Sequence, residues 1–320
     1  MMSSSFLYGR EQRGRRGKAG TSSLRCLIIG ADGTFGAALA DSLRQGGHEV
    51  IATTRRRHLA IAGGSFYLDL AEELPSMPEA DVAVICAAMA RFEDCRRYPE
   101  RAHRVNVAAP LALARSLTEA GARVILLSTG VVFDCKTPHV SESAEPAPRS
   151  VYGRLKAEAE ACLLDLGSLV SVLRLTKVVR PNAGVLSEWI RHLGEGKIVR
   201  AFDDHRFSPL TVAHVVDALV ALVERGEGGI YHASGAADVS YAEAARFLAR
   251  QIGVPSQLVE GVRGVDNGLA DGDLTPFTSL ATTRLSDLTG FIPPQPLEVL
   301  QTVFGREISQ AKDVLAALAR

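Results

Sequence analysis

Several common architectures are excluded by what this sequence lacks. The longest uninterrupted apolar stretch, 82–90, has nine residues, well under the ~20 that a transmembrane helix needs, so a membrane-spanning helix is not expected. Charge of one sign is missing too: Lys plus Arg and Asp plus Glu each number 36, for a net charge of zero. Binding to nucleic-acid phosphates requires a positive field, so no nucleic-acid partner is expected. Cysteine is scarce: Cys26, Cys86, Cys95, Cys135 and Cys162 make an odd set of five with no C-x-x-C pair. That pattern fits neither a disulfide framework nor a zinc cage, and it points to the reducing cytoplasm. No G-x-S-x-G elbow, Walker loop or H-E-x-x-H pair occurs, so hydrolase and kinase chemistry are unsupported. His205 and His214 stand at no metal or nucleophile spacing and read as surface or packing residues. No metal ligand set is assigned.

What is present is a globular composition over 320 residues, 47% hydrophobic and 22% charged with 29 Gly and 14 Pro. That length suits two domains, or one large α/β domain with an appendage. Residues 1–23 read as a disordered basic arm, with five basic side chains against Glu11 between Arg10 and Lys18. From residue 24 short apolar runs alternate with helical periodicity. Strands are expected at 24–29, 48–53, 65–68, 82–87, 123–128 and 169–175, with helices at 34–45, 101–120 and 152–166. Strands apolar on both faces and separated by helices imply a parallel sheet covered on both sides. The fold class is therefore α/β, a Rossmann-type doubly wound sheet over 24–175. Regularity weakens beyond 175, and 176–320 reads mainly as a smaller C-terminal α/β substrate-binding domain. Helices are expected there at 186–193, 211–224, 241–251 and 295–303, with strands at 197–202 and 229–232. Part of 211–234 is expected to return to the main sheet. The Pro-rich stretch 134–150 reads as a loop placed to act as a substrate lid.

Three motifs carry chemistry. Gly30, Gly33 and Gly36 follow the first strand and open the first helix, where glycine permits a tight turn and a close approach to a pyrophosphate at the helix N-terminus. Strand two runs into Arg55, Arg56 and Arg57 rather than the acid that an NAD ribose prefers. Guanidinium groups there suit a 2′-phosphate, with Arg55 the favoured residue, so the expected cofactor is NADP(H) over NAD(H). Asp69, after the third strand, reads either as an adenine contact or as a plain surface cap. Tyr152 and Lys156 lie one helical turn apart on one face, an arrangement in which a lysine cation lowers the phenol's pKa. Thr129 ends the strand before them and points into the same crevice, where its hydroxyl can bond a substrate carbonyl; Ser128 is the competing candidate.

Taken in this order, the motifs resemble the extended short-chain dehydrogenase/reductase superfamily, and within it the dTDP-4-dehydrorhamnose reductase group. Segments 81–88, 99–106, 127–134 and 152–158 carry the resemblance, with 202–210 and 229–232 similar to later parts of those reductases. The resemblance implies that Gly30, Gly33, Thr34, Phe35 and Gly36 hold the pyrophosphate. It implies that Ala87 and Ala88 line the cofactor groove, that Asp69 and Leu70 lie at the adenine end, and that Asn106 is a structural or water-relay residue. Thr129, Tyr152 and Lys156 are the implied catalytic set, with Tyr152 and Lys156 also touching cofactor. Gly130, Cys86 and the glycine-poor loop 134–150 depart from the group's pattern and bear on which sugar is used. The implied activity is NADPH-dependent reduction of a keto-sugar nucleotide, with Tyr152 donating the proton. An epimerase or dehydratase retaining NAD, or a non-catalytic NADP-binding regulatory subunit, is compatible with the same motifs. Some members bind magnesium at a dimer interface; no ligands for it are assigned here, and a homodimer is one implied assembly.

Overall fold

Alternation along each strand sets the layers. In β1 (Arg25–Ile29), Cys26 and Ile28 join one core cluster while Leu27 and Ile29 join another. The same split recurs in the strand Val82–Ile85, where Val82 and Val84 face one way and Ala83 and Ile85 the other. Successive side chains of a strand point to opposite faces, so a sheet whose central strands are apolar on both faces must be covered twice. Helices Pro99–His103, Ala109–Glu119 and Val151–Leu164 cover one face. Helices Thr34–Gln45 and Val212–Arg225 cover the other.

The computed structural model describes residues 23–61 and 65–318; the expected basic arm lies outside them, apart from residue 23. The strands are β1, β2 (Glu49–Thr54), β3 (Ser65–Tyr67), β4 (Val82–Ile85), β5 (Arg123–Thr129), β6 (Val170–Leu175) and β7 (Gly229–Ala233). They form one sheet in the order β7-β6-β5-β4-β1-β2-β3, with every pairing parallel. The order reverses between β1 and β4, and a ligand crevice opens outside the carboxyl ends of strands at such a switch point. Within 211–234, β7 pairs into the main sheet and the helix before it packs on one face of that sheet.

Much of the remaining C-terminal half builds a separate layer, although helix Thr283–Thr289 packs Leu285 into the core under the main sheet. Strand pairs Val199–Phe202 with Val259–Val262 and Arg206–Phe207 with Val239–Ser240 lie outside the main sheet. They pack with helices Gly184–Gly194, Tyr241–Ile252 and Pro296–Leu318 around Trp189, Phe247 and Phe304.

Two helices differ from expectation. The helix expected over 101–120 is broken by a π turn, Arg104–Ala108, centred on Asn106. The terminal helix, expected to stop at 303 before Gly305, continues to Leu318. Glycine costs a helix interior about 1 kcal/mol against alanine, but Phe304, Ile308 and Ala311 bury one face across it, and that packing outweighs the cost. No helix among the described residues is long and apolar enough to cross a membrane.

Candidate active site

The cleft at the carboxyl ends of the strands has a volume of about 760 Å³, in the range of small-molecule sites. Its first wall is the glycine turn between β1 and helix Thr34–Gln45. Gly30 has φ +89°, and a Cβ on it would lie 2.8 Å from the Ala87 backbone nitrogen. A Cβ on Gly36 would fall 2.3 Å from the Gly30 carbonyl oxygen. Both glycines are therefore obligatory for the close crossing of β1, its helix and the exit of β4. The helix N-cap, Gly33, offers no side-chain acceptor to the first-turn N–H groups, so they remain available to an anion. Such a cradle fits the pyrophosphate of a dinucleotide. Gly30, Gly33, Thr34, Phe35, Gly36 and Ala88 line the cleft, with Ala87 packed behind Gly30.

The second wall brings Thr129 and Tyr152 together. Ser150 caps helix Val151–Leu164 by accepting from the Gly153 N–H. A Cβ on Gly153 would sit 2.2 Å from the Val131 carbonyl oxygen, so only glycine after Tyr152 lets this helix press against the turn following β5. Tyr152 lines the cleft, its ring tilted against Phe92 at 5.9 Å. Burial above all, with nearby negative charge including Glu160, pushes its phenol well above the usual range. The expectation that Lys156 pulls the phenol down finds no counterpart in this geometry. Lys156 is 1% exposed and donates from Nζ to the Leu127 carbonyl at 2.8 Å. Burial lowers its ammonium to about 8, opposed by Glu160.

Ser128 and Thr129 differ in what their hydroxyls do. Ser128 donates to Glu160, which spends its only proton inside the protein. Thr129 accepts from the Val131 N–H at 3.3 Å, leaving its own proton free beside Tyr152.

The remaining expected residues lie elsewhere. Asn106 is 1% exposed and clamps the Met89 backbone, accepting its N–H at 2.9 Å and donating to its carbonyl at 3.0 Å. It shapes the exit of β4 without lining the cleft. Asp69 accepts from the Ala71 N–H at 2.9 Å, the surface-cap geometry, and Leu70 is buried in the core. Arg55 is exposed just beyond β2 and outside the cleft lining. Arg57 is committed to Glu72 at 2.7 Å and lies over the Tyr67 ring. An acid does approach the end of β2, from the glycine turn: the Thr54 hydroxyl donates to Asp32 at 2.6 Å.

Two features escaped the sequence reading. Beneath Thr129 runs a buried network. Arg174 donates from Nε and Nη2 to one Glu160 oxygen at 3.0 and 2.7 Å, and Nη1 lies 3.3 Å from His232 Nε2. An arginine buried within the mostly apolar strand β6 demands an acid, and Glu160 follows Lys156 by one helical turn, so a signal was there. The other is the far wall, which draws Lys177, Arg180, His205, Tyr241 and Thr275 from separate segments. His205, expected to be a packing or surface residue, lines the cleft, whereas His214 serves the capping box of helix Val212–Arg225. No group of three or more His, Cys, Asp or Glu side chains among the described residues is arranged to hold a metal.

The family model described as the RmlD substrate binding domain matches residues 24–303. A dTDP-4-dehydrorhamnose reductase of Mycolicibacterium smegmatis is 31% identical over 281 residues, covering 84% of this chain and 82% of that protein. Methionine adenosyltransferase 2 subunit beta of Xenopus tropicalis is 27% identical over 256 residues, covering 72% and 73%. Among solved structures, a dTDP-4-dehydrorhamnose reductase of Bacillus anthracis in complex with NADP superposes with a TM-score of 0.74 at 20% identity, covering 89% of this chain and 99% of that one. At that identity the likeness is one of fold.

Proposed function

The chain belongs to the RmlD substrate binding domain family, and from that premise we propose that it is an NADPH-dependent reductase of a keto-sugar nucleotide. One observation carries the reading: a single cleft holds the glycine cradle, the free Thr129 hydroxyl and the Tyr152 phenol, with Lys156 buried behind them. Related proteins named as dTDP-4-dehydrorhamnose reductases, one of them solved with NADP, support the substrate class and the cofactor.

Gly30, Gly33 and Gly36 would seat the pyrophosphate at the N-terminus of helix Thr34–Gln45, and Arg55 would meet the 2′-phosphate from the end of β2. NADPH, when bound, supplies the hydride. The protein's part is to hold the carbonyl and deliver a proton. Thr129 donates a hydrogen bond to the carbonyl oxygen, a bond that strengthens as negative charge develops there. Tyr152 donates the proton that completes the alcohol; a phenol held protonated by burial is primed to give one when an alkoxide forms beside it. Lys156, one turn along the same helix and tied to the Leu127 carbonyl, holds the end of β5 that carries Thr129 against the tyrosine's helix. Binding of the remote nucleotide diphosphate positions the sugar for transfer.

A second reading is favoured by the resemblance to methionine adenosyltransferase 2 subunit beta: a chain that binds NADP as a subunit and turns nothing over. One titration separates the two. Nicotinamide fluorescence is followed as NADPH and NADH are added, and dTDP-4-dehydrorhamnose is then supplied. A reductase prefers NADPH and oxidises it stoichiometrically; a binding subunit holds NADPH unchanged, and absence of any binding defeats both.

A further inference from the structure

The far wall of the cleft contains two stacked rings that the proposed chemistry leaves unused. His205 and Tyr241 lie with centroids 5.1 Å apart and planes within 5°. Tyr241 is wedged further by Phe207 at 4.6 Å and Trp189 at 6.0 Å, inside the C-terminal core. The backbone fixes the pair as well: the Tyr241 N–H donates to the His205 carbonyl at 3.2 Å, and the Arg206 N–H donates to the Thr275 carbonyl at 2.8 Å.

Hydrogen bonding also fixes the histidine tautomer. The Thr275 backbone N–H donates to His205 Nδ1 at 3.1 Å. A backbone N–H can only donate, so Nδ1 carries its lone pair and the ring proton sits on Nε2. The Thr275 hydroxyl lies 3.1 Å from the same Nδ1 and 3.0 Å from the Arg206 carbonyl, and its one proton can be donated to either. Burial first, and the Lys177 cation second, lower the imidazole to about 4, so the ring stays neutral at neutral pH. Neither His205 Nε2 nor the Tyr241 hydroxyl has a hydrogen-bond partner among the described residues. Neither is sealed away, since the fully buried atoms left unpaired are on His48 and Thr176. Both residues line the cleft. Two rigid donors thus face a ligand space, beside Lys177, which has no carboxylate partner among the described residues. The one acid of that wall, Asp273, is held by Arg96 at 2.6 Å.

We propose that the His205 Nε2–H and the Tyr241 hydroxyl are paired neutral donors that position the sugar nucleotide through its oxygen atoms, and that they set substrate affinity rather than hydride transfer. The proposal rests on the reductase reading for its substrate class, but its test does not need turnover. Binding of dTDP-glucose, a stable probe, is measured by calorimetry on the full chain, alongside NADPH binding. His205→Phe and Tyr241→Phe each keep the stacked ring and remove one donor; Tyr241→Phe also leaves the core filled, so its fold is not at risk. Each is expected to weaken dTDP-glucose about tenfold while changing the NADPH Kd less than twofold. Where the wild type reduces dTDP-4-dehydrorhamnose, KM rises and kcat holds. A parallel titration with dTDP identifies the oxygens involved: weakening of both ligands places the donors at the diphosphate, and weakening of dTDP-glucose alone places them at the sugar. Unchanged dTDP-glucose affinity in both variants overturns the proposal, as does a wild type that does not bind it. A wild type that binds dTDP-glucose but reduces no keto-sugar leaves the donor pair standing and defeats the reductase reading instead.

Discussion

Removing Glu160 should cost this protein more than removing any surface acid, and the structure sets the size. Glu160 and Arg174 are each 1% exposed. Two Arg174 N–H groups converge on one carboxylate oxygen, and Ser128 donates to the other. The guanidinium lies 4.8 Å from the Phe133 ring centroid and cannot reach water. Glu160→Ala leaves that cation buried and unpaired, which costs about 3–5 kcal/mol. In a chain of this size that corresponds to a fall in Tm on the order of 10 °C. Glu160→Met with Arg174→Met removes both charges, and replacing a buried pair by apolar groups is often close to neutral, so the double variant should recover most of the loss. Thermal unfolding followed by circular dichroism, with urea titration as the second measure, reads both. A Glu160→Ala protein within about 1 kcal/mol of wild type, or a double variant no better than the single one, would refute the claim that the pair is held by mutual neutralisation.

Tyr152→Phe should lower kcat by about 10²–10⁴ while NADPH fluorescence titrates as in wild type; retained turnover would remove Tyr152 from proton donation. Arg55→Ala should weaken NADPH at least several-fold and leave NADH unaffected, because only the former carries a 2′-phosphate; equal weakening of both would place Arg55 elsewhere. His205 and His232 both have pKa values lowered from 6.5 to about 4, chiefly by burial. The unfolded chain therefore binds more protons than the native one between these values, so stability should fall as pH drops from about 6.5 toward 4. Urea midpoints across that range test this, and a midpoint that rises on acidification would contradict it.

Most of the main sheet could be read from the sequence because its central strands carry apolar runs that face both ways, and few other structures demand that pattern. The glycine cradle and the Tyr152–Lys156 pair were equally legible, since each is a local spacing with a local reason. What the sequence obscured depends on contacts between distant segments. Glu160 reads as one more helix acid until β6 brings Arg174 against it. His205 reads as a surface residue until Thr275, 70 positions later, fixes its proton. Asp32 sits within the glycine turn, and only the pairing of β1 with β2 brings it to Thr54. The terminal helix was expected only over 295–303, whereas burial of Phe304, Ile308 and Ala311 carries it on to Leu318. Asn106 reads as a structural or water-relay residue, and the π turn that aims it at Met89 has no signature in composition or period.

The central claim is that hydride passes in this cleft to the carbonyl carbon of a sugar nucleotide. Its most direct test is to incubate the purified chain with dTDP-4-dehydrorhamnose and NADPH carrying deuterium at the transferable position of the nicotinamide, then weigh the sugar-nucleotide product. Reduction as proposed gives a product heavier than the protio control by the one deuterium, located on the former carbonyl carbon, with one NADPH consumed per product. NADPH bound but not consumed, or a product without the label, would contradict it.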